Sequence, residues 1–233
     1  MTDQVSTIQT ADGYGYAVSQ EQRNRVMRNT YWLLALSLLP TVLGAWVGVA
    51  TGITQSLRGG MGLIVFLGGA FGFMYAIEKT KNSAAGVPVL LAFTFFMGLM
   101  LSRMIGSVLG FKNGAELIML AFAGTAGVFF TMASLATVIK RDLSSMGKWL
   151  MVGAIVLMVG GIINVFVGSS TGMVVIAMLA IGIFSAYMLY DLKRMVDGGE
   201  TNYISATLAL YLDIFNVFQS LLALLGIFGG ERD

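Results

Sequence analysis

Two acids stand in apolar surroundings where a charge is expensive. Asp191 and Asp213 both lie in the stretch S-A-Y-M-L-Y-D-L-K-R-M-V-D-G-G-E-T-N-Y-I-S-A-T-L-A-L-Y-L-D-I-F-N-V-F-Q-S, from Ser185 to Ser220. An ionised carboxylate at the centre of a bilayer costs roughly 3 kcal/mol on insertion scales, so each acid points to a function or a partner. Asn216 and Ser220 follow Asp213 at i+3 and i+7 and share its face on a helix. Tyr187 stands one turn before Asp191, and Arg194 follows it at i+3. A charged turn joins the two apolar stretches, so antiparallel helices would bring the carboxyls to a similar level. Two carboxylates meeting in low dielectric cannot both ionise cheaply, and one proton between them closes the pair. Loss of that proton leaves two repelling charges, or oxygen ligands for a hard cation such as Ca²⁺. The chain has no histidine and no cysteine. Any response to pH therefore rests on carboxylates or lysines rather than on the usual neutral-pH switch.

Plainer readings stand beside these. Asp191 is also placed to pair with Lys193 or Arg194 among lipid headgroups, whereas Asp213 lies too deep for that. Lys79 and Lys81 follow the second apolar run beside Glu78. Either is a candidate latch that neutralises one of the acids, or a side chain that snorkels to lipid phosphates. Arg103 falls near the outer end of the third run, where it snorkels outward or lines an outer vestibule. An enzyme finds little support. The residues before Asp213 are Leu210-Tyr211-Leu212, not the Gly-x-Gly of intramembrane aspartyl proteases. A rhomboid-type serine protease needs a histidine, and there is no phosphate-binding loop or metal-ligand cluster. No catalytic residue and no cofactor is expected.

The elements that must position these residues follow from composition. Of 233 residues, 57% are hydrophobic and 11% charged, and the mean hydropathy is +0.82. Soluble domains carry about 25% charged residues, so an integral membrane protein is expected. A net charge of +2 gives no reason to expect nucleic acid as a partner. Seven apolar runs lie near the roughly 20 residues a helix needs to span hydrocarbon. They are Tyr31–Ile53, Met61–Ile77, Val87–Gly110, Leu117–Ile139, Trp149–Gly168, Gly172–Leu192 and Ser205–Gly230. The second is the shortest and is expected to be extended by its flanks. The turn after the fifth is so short that runs five and six form a tight hairpin.

Residues 1–30 read as a polar tail without structure of its own, turning helical close to the membrane, and residues 231–233 as a short C-terminal tail. No cleavable signal is expected in so polar an N-terminus. Basic residues orient the bundle. Arg23, Arg25, Arg28, Lys79, Lys81, Lys140, Arg141, Lys148, Lys193 and Arg194 fall on the N-terminal side, against Arg58, Lys112 and Arg232 on the other. The N-terminus is thus expected in the cytoplasm and the C-terminus outside. Small residues at helical spacing suggest close helix packing: Gly124, Gly127, Thr131 and Ser134 in the fourth run, and Gly160, Asn164 and Gly168 in the fifth.

The motifs Y-D-L-K (Tyr190–Lys193), G-G-E-T-N-Y-I (Gly198–Ile204), L-Y-L-D-I-F-N-V-F (Leu210–Phe218) and R-N-T-Y-W-L-L (Arg28–Leu34) resemble the Bax inhibitor-1 family. Of these, Arg28–Leu34 and Gly198–Ile204 look most like its bacterial YccA-like branch. The resemblance covers nearly everything after the tail. It implies an all-α fold in which six helices surround a central seventh. It implies a pH-sensitive Ca²⁺ leak gated by an aspartate pair, which carries over to Asp191 and Asp213, with a basic latch at the end of helix two. The YccA-like branch implies instead a modulator of the membrane AAA protease FtsH in the bacterial inner membrane, with the N-terminal tail as the protease's handle. A third reading, a proton-coupled transporter of a small solute, uses the same aspartates.

Overall fold

A computed structural model describes residues 19–57 and 59–231. It contains seven helices: α1 (Gln20–Thr51), α2 (Gly59–Thr80), α3 (Gly86–Leu109), α4 (Gly114–Val138), α5 (Met146–Val167), α6 (Ser170–Val196) and α7 (Tyr203–Gly229). All seven are long and apolar enough to cross a membrane, and no strand occurs among the described residues. The seven expected runs are these seven helices. The largest difference lies at the start. Helix α1 begins at Gln20, so residues 20–30, read from composition as tail, are helix. Ser19 explains the boundary: its side chain accepts the Gln22 N–H at 3.2 Å, an N-cap that starts the helix in polar sequence. At ~1.5 Å per residue, the 32 residues of α1 extend well past the ~30 Å of hydrocarbon. The reading of residues 1–18 as tail lies outside the described residues, as does that of Arg232 and Asp233.

The core explains why α7 is central. Helix α7 packs against α1, α2, α3, α4 and α6, and Leu210, Tyr211, Val217 and Leu222 on it are fully buried. Helix α5 packs on α6 and α2 and turns Trp149, Val156 and Phe166 outward. That apolar skin suits hydrocarbon rather than water. The α5–α6 hairpin is as tight as expected. Gly168 takes φ 67°, a left-handed conformation that favours glycine, and Ser169 caps α6 through the Gly172 N–H at 3.0 Å.

The closest helix pair is α1 with α3. A Cβ on Gly98 would come within 2.0 Å of the Thr41 carbonyl oxygen, one on Gly44 within 2.1 Å of the Phe95 oxygen, and one on Gly48 within 2.2 Å of Ser102 Oγ. Gly44 and Gly48 stand four apart, the small-xxx-small spacing that lets backbones meet in lipid. Of the small residues singled out on α4 and α5, a Cβ on Gly124 would meet the Leu221 side chain at 3.1 Å and Asn164 faces Gly172, but three on α4 do not play this part. Gly127 has open space around it, and Thr131 and Ser134 are exposed with hydroxyls donating to carbonyls of their own helix at 2.7 and 2.8 Å.

Hydroxyls tie this pair to α7. The Tyr211 hydroxyl lies 2.9 Å from Thr41 Oγ1 and 3.4 Å from the Thr94 carbonyl oxygen, while Thr41 Oγ1 donates to the Ser37 carbonyl at 2.9 Å. Thr207 Oγ1 donates to the Tyr203 carbonyl at 2.7 Å and reaches the Thr30 carbonyl at 3.4 Å. Buried polar groups need such partners. On the far side of the bundle, the Arg103 guanidinium donates to the Leu57 carbonyl and clasps the α1–α2 turn to α3.

Candidate functional site

Helices α6 and α7 run antiparallel and pack along most of their length. Their connection is built to be rigid. Asp197 closes α6, and Gly198 turns the chain with φ 81°. Glu200 then accepts the N–H groups of Thr201 and Asn202 at 3.0 and 2.9 Å. Asn202 caps α7 with bonds from the N–H groups of Ile204 and Ser205 at 2.9 and 3.0 Å. Its amide donates across to the Lys81 carbonyl at 3.2 Å and to Asn82 Oδ1 at 2.8 Å. One side chain thus starts the central helix and pins the α2–α3 turn. Asn202→Ala removes all four bonds. It should lower stability by about 1–3 kcal/mol, the range for a lost cap with its linked bonds, read as a lower thermal midpoint in detergent. An unchanged midpoint would show that Asn202 anchors nothing.

This frame delivers the two acids to each other. Asp213 lies ten residues into α7, ~15 Å along its axis, and is 4% exposed. Asp191 lies five residues before the end of α6 and is half-buried. The two carboxyls are within hydrogen-bonding reach. Asp213 Oδ2 is buried and receives no hydrogen bond from an amide, hydroxyl or cation. Two carboxylates are both acceptors, so a bond between them exists only when one carries a proton. Tyr187 is near both acids, its ring stacked on Phe184 at 6.1 Å.

The other candidates are placed differently. Asn216 turns its amide back to the Leu212 carbonyl at 2.8 Å rather than toward the pair. Ser220 is buried further along α7. Lys79 sits 5.5 Å over the Tyr75 ring. Lys81 Nζ pairs with Glu78 Oε1 at 2.6 Å. Neither lysine bonds an aspartate among the described residues. The cations next to Asp191 have other partners too: Lys193 pairs with Asp197 at 2.5 Å and Arg194 with Glu200 at 3.1 Å.

A cavity of about 320 Å³ opens from Asp191 toward the N-terminal side, lined among others by Glu78, Lys81, Arg194, Glu200 and Ser205. Asp191 therefore has a polar approach flanked by two ion pairs. Glu200 is the residue that sequence reasoning passed over; its position directly after Gly198-Gly199 at a helix end was the available signal. No group of three metal-ligating side chains occurs among the described residues. The pair can hold a proton, and it offers up to four oxygens to a cation.

Comparison with known proteins places this chain among relatives. A family model described as "Inhibitor of apoptosis-promoting Bax1" matches residues 23–230. An uncharacterized protein of Neisseria meningitidis is 34% identical over 223 residues, 94% of this chain and 98% of its own length. The Escherichia coli K12 protein named "Modulator of FtsH protease YccA" is 36% identical over 203 residues, covering 87% of this chain and 90% of that protein. Its counterpart in E. coli O6:H1, with the same identity and coverage, is named "Inner membrane protein YccA".

Proposed function

Because this chain belongs to the Bax inhibitor-1 family, we propose that it is a multi-pass inner-membrane protein that modulates an FtsH-type membrane protease. One observation carries the reading: 36% identity across nearly the whole chain with a relative named for that role. The excess of lysine and arginine on the N-terminal side favours a cytoplasmic N-terminus, the side on which a polar N-terminal sequence can be presented to a protease. The test is degradation of a membrane substrate by purified FtsH in proteoliposomes, with and without the full-length chain. The chain should change the rate. Removal of residues 1–18 should abolish the change and Asp213→Asn should preserve it. A rate indifferent to the full-length chain sinks the proposal.

A second reading rests on a different observation, a buried Asp213 Oδ2 without a hydrogen-bond donor among the described residues and a second acid beside that carboxyl. The pair serves as the pH-sensitive gate of a cation leak. Protonated, it is closed by its own hydrogen bond. Ionised, it repels and offers oxygens to a passing cation. Ca²⁺ takes six to eight oxygen ligands, so an ion at the pair keeps most of its water and is passed rather than stored. Lys81 and Arg194, each held in an ion pair at the cavity mouth, set the charge at the approach. Calcium influx into proteoliposomes by wild type and Asp213→Asn tests this reading. A proton-coupled solute transporter using the same pair would show saturable uptake instead.

A further inference from the structure

A second cavity lies beside the aspartate approach and has the opposite character. It measures about 560 Å³, between the first turns of α1, the α2–α3 turn and the residues leading into α7. Gln22, Arg25, Asn29, Lys81, Asn82 and Thr201 are among the residues that line it, and no acidic side chain is. Of the nearby acids, Glu78 is engaged with Lys81, and Glu200 with Arg194 and two backbone amides, while Glu21, one turn before Arg25, forms no ion pair among the described residues. Lys81 is therefore balanced, while Arg25 is exposed and forms no ion pair among the described residues. The rim is fixed in advance. Asn202 holds Asn82 by its carbonyl oxygen, which leaves the Asn82 amide nitrogen free to donate. The cavity reaches Ser83 and Ala84, just before α3, a helix that starts without a side-chain cap. Its N-terminal end adds positive potential.

Uncompensated guanidinium, several amide donors and no carboxylate make a site for an acceptor-rich anion. Arg matches phosphate oxygens two at a time. The depth also fits. Arg25 stands six residues before the apolar run that begins at Tyr31, ~9 Å along the helix, at the level of lipid headgroups. We infer that this cavity binds a phosphate group, supplied by an anionic phospholipid headgroup or by a soluble phosphate.

The test uses the full chain, delipidated in neutral detergent, with phosphatidylglycerol, phosphatidylcholine and inorganic phosphate as separate probes read by native mass spectrometry and by thermal shift. Wild type should retain phosphatidylglycerol in preference to phosphatidylcholine. Arg25→Gln should weaken that binding on the order of fivefold, the effect of one cation at an anionic surface. Lys140→Gln, an equal loss of charge at an exposed position on the same side, should leave it unchanged. Saturable inorganic phosphate binding that Arg25→Gln removes, without a lipid preference, assigns the site to soluble phosphates. Equal weakening by Arg25→Gln and Lys140→Gln, or no saturable binding of any probe, overturns the inference.

Discussion

Gly98→Val will leave little folded protein in the membrane. A Cβ at this position already falls 2.0 Å from the Thr41 carbonyl oxygen, 2.7 Å from its carbonyl carbon and 2.9 Å from its Cα. Ordinary contact needs about 3.5 Å, so α1 and α3 would have to separate by about 1.5 Å. These are backbone atoms of a helix and cannot swing aside as a side chain would. Separation would also break the seam at Gly44 and Gly48 and loosen the Tyr211–Thr41 hydrogen bond. Overpacking of a core costs about 1–3 kcal/mol, and more where nothing can move. Proteins have only about 5–15 kcal/mol in hand. Membrane-fraction yield and the thermal midpoint in detergent report the loss. Gly127→Val is the matched control, because that position faces open space. Similar yield and melting for both variants would refute the close-packed seam.

Asp213→Asn will flatten the pH response of calcium influx. Under the leak proposal, wild-type influx into proteoliposomes should rise with pH, as the proton between Asp191 and Asp213 is lost and the pair repels. A gate that turns on one proton changes by at most about tenfold per pH unit. The asparagine amide can donate to Asp191 at every pH, so the variant holds the closed arrangement and its flux stays low and flat. Folding should survive, since Asn keeps the shape and supplies the missing donor. An identical pH slope in wild type and variant would remove the pair from the gate. Wild-type flux equal to that of empty liposomes would discard the leak and leave the protease role standing.

Some of this was legible in the chain and some was not, for physical reasons. The seven spans were, because hydrocarbon demands a nearly fixed length of apolar residues. The extra turns of α1 were legible only next to the membrane: Gln20–Thr30 carries no apolar periodicity, and its helix is secured by Ser19 and by continuation from the membrane. The meeting of Asp191 and Asp213 followed from spacing across a short connection. The lysines could not be placed the same way. Lys81 has Glu78 three residues before it and Lys79 has Tyr75 four before it, and these local partners won over a longer reach to the acids. The glycine seam was hidden for another reason. Thirty glycines offer many small-residue spacings, and the spacing on one helix does not say which helix lies opposite. Gly44 and Gly48 have a partner there, whereas Gly127 faces outward.

The hydroxyl node at Tyr211 bears on how the protein is made. Thr41 and Thr94 belong to α1 and α3, while Tyr211 belongs to α7, which follows the other six helices in chain order. About 120 residues separate the end of α3 from the end of α7. At ~5–20 residues per second, the α1–α3 pair waits roughly 6–24 s during synthesis before its aromatic partner arrives. Asp213 comes on the same helix. A nascent chain therefore holds a welded first pair and a vacant centre but no acidic pair. Whatever the two carboxyls do begins only once the seventh helix has docked, so an unfinished chain cannot perform it.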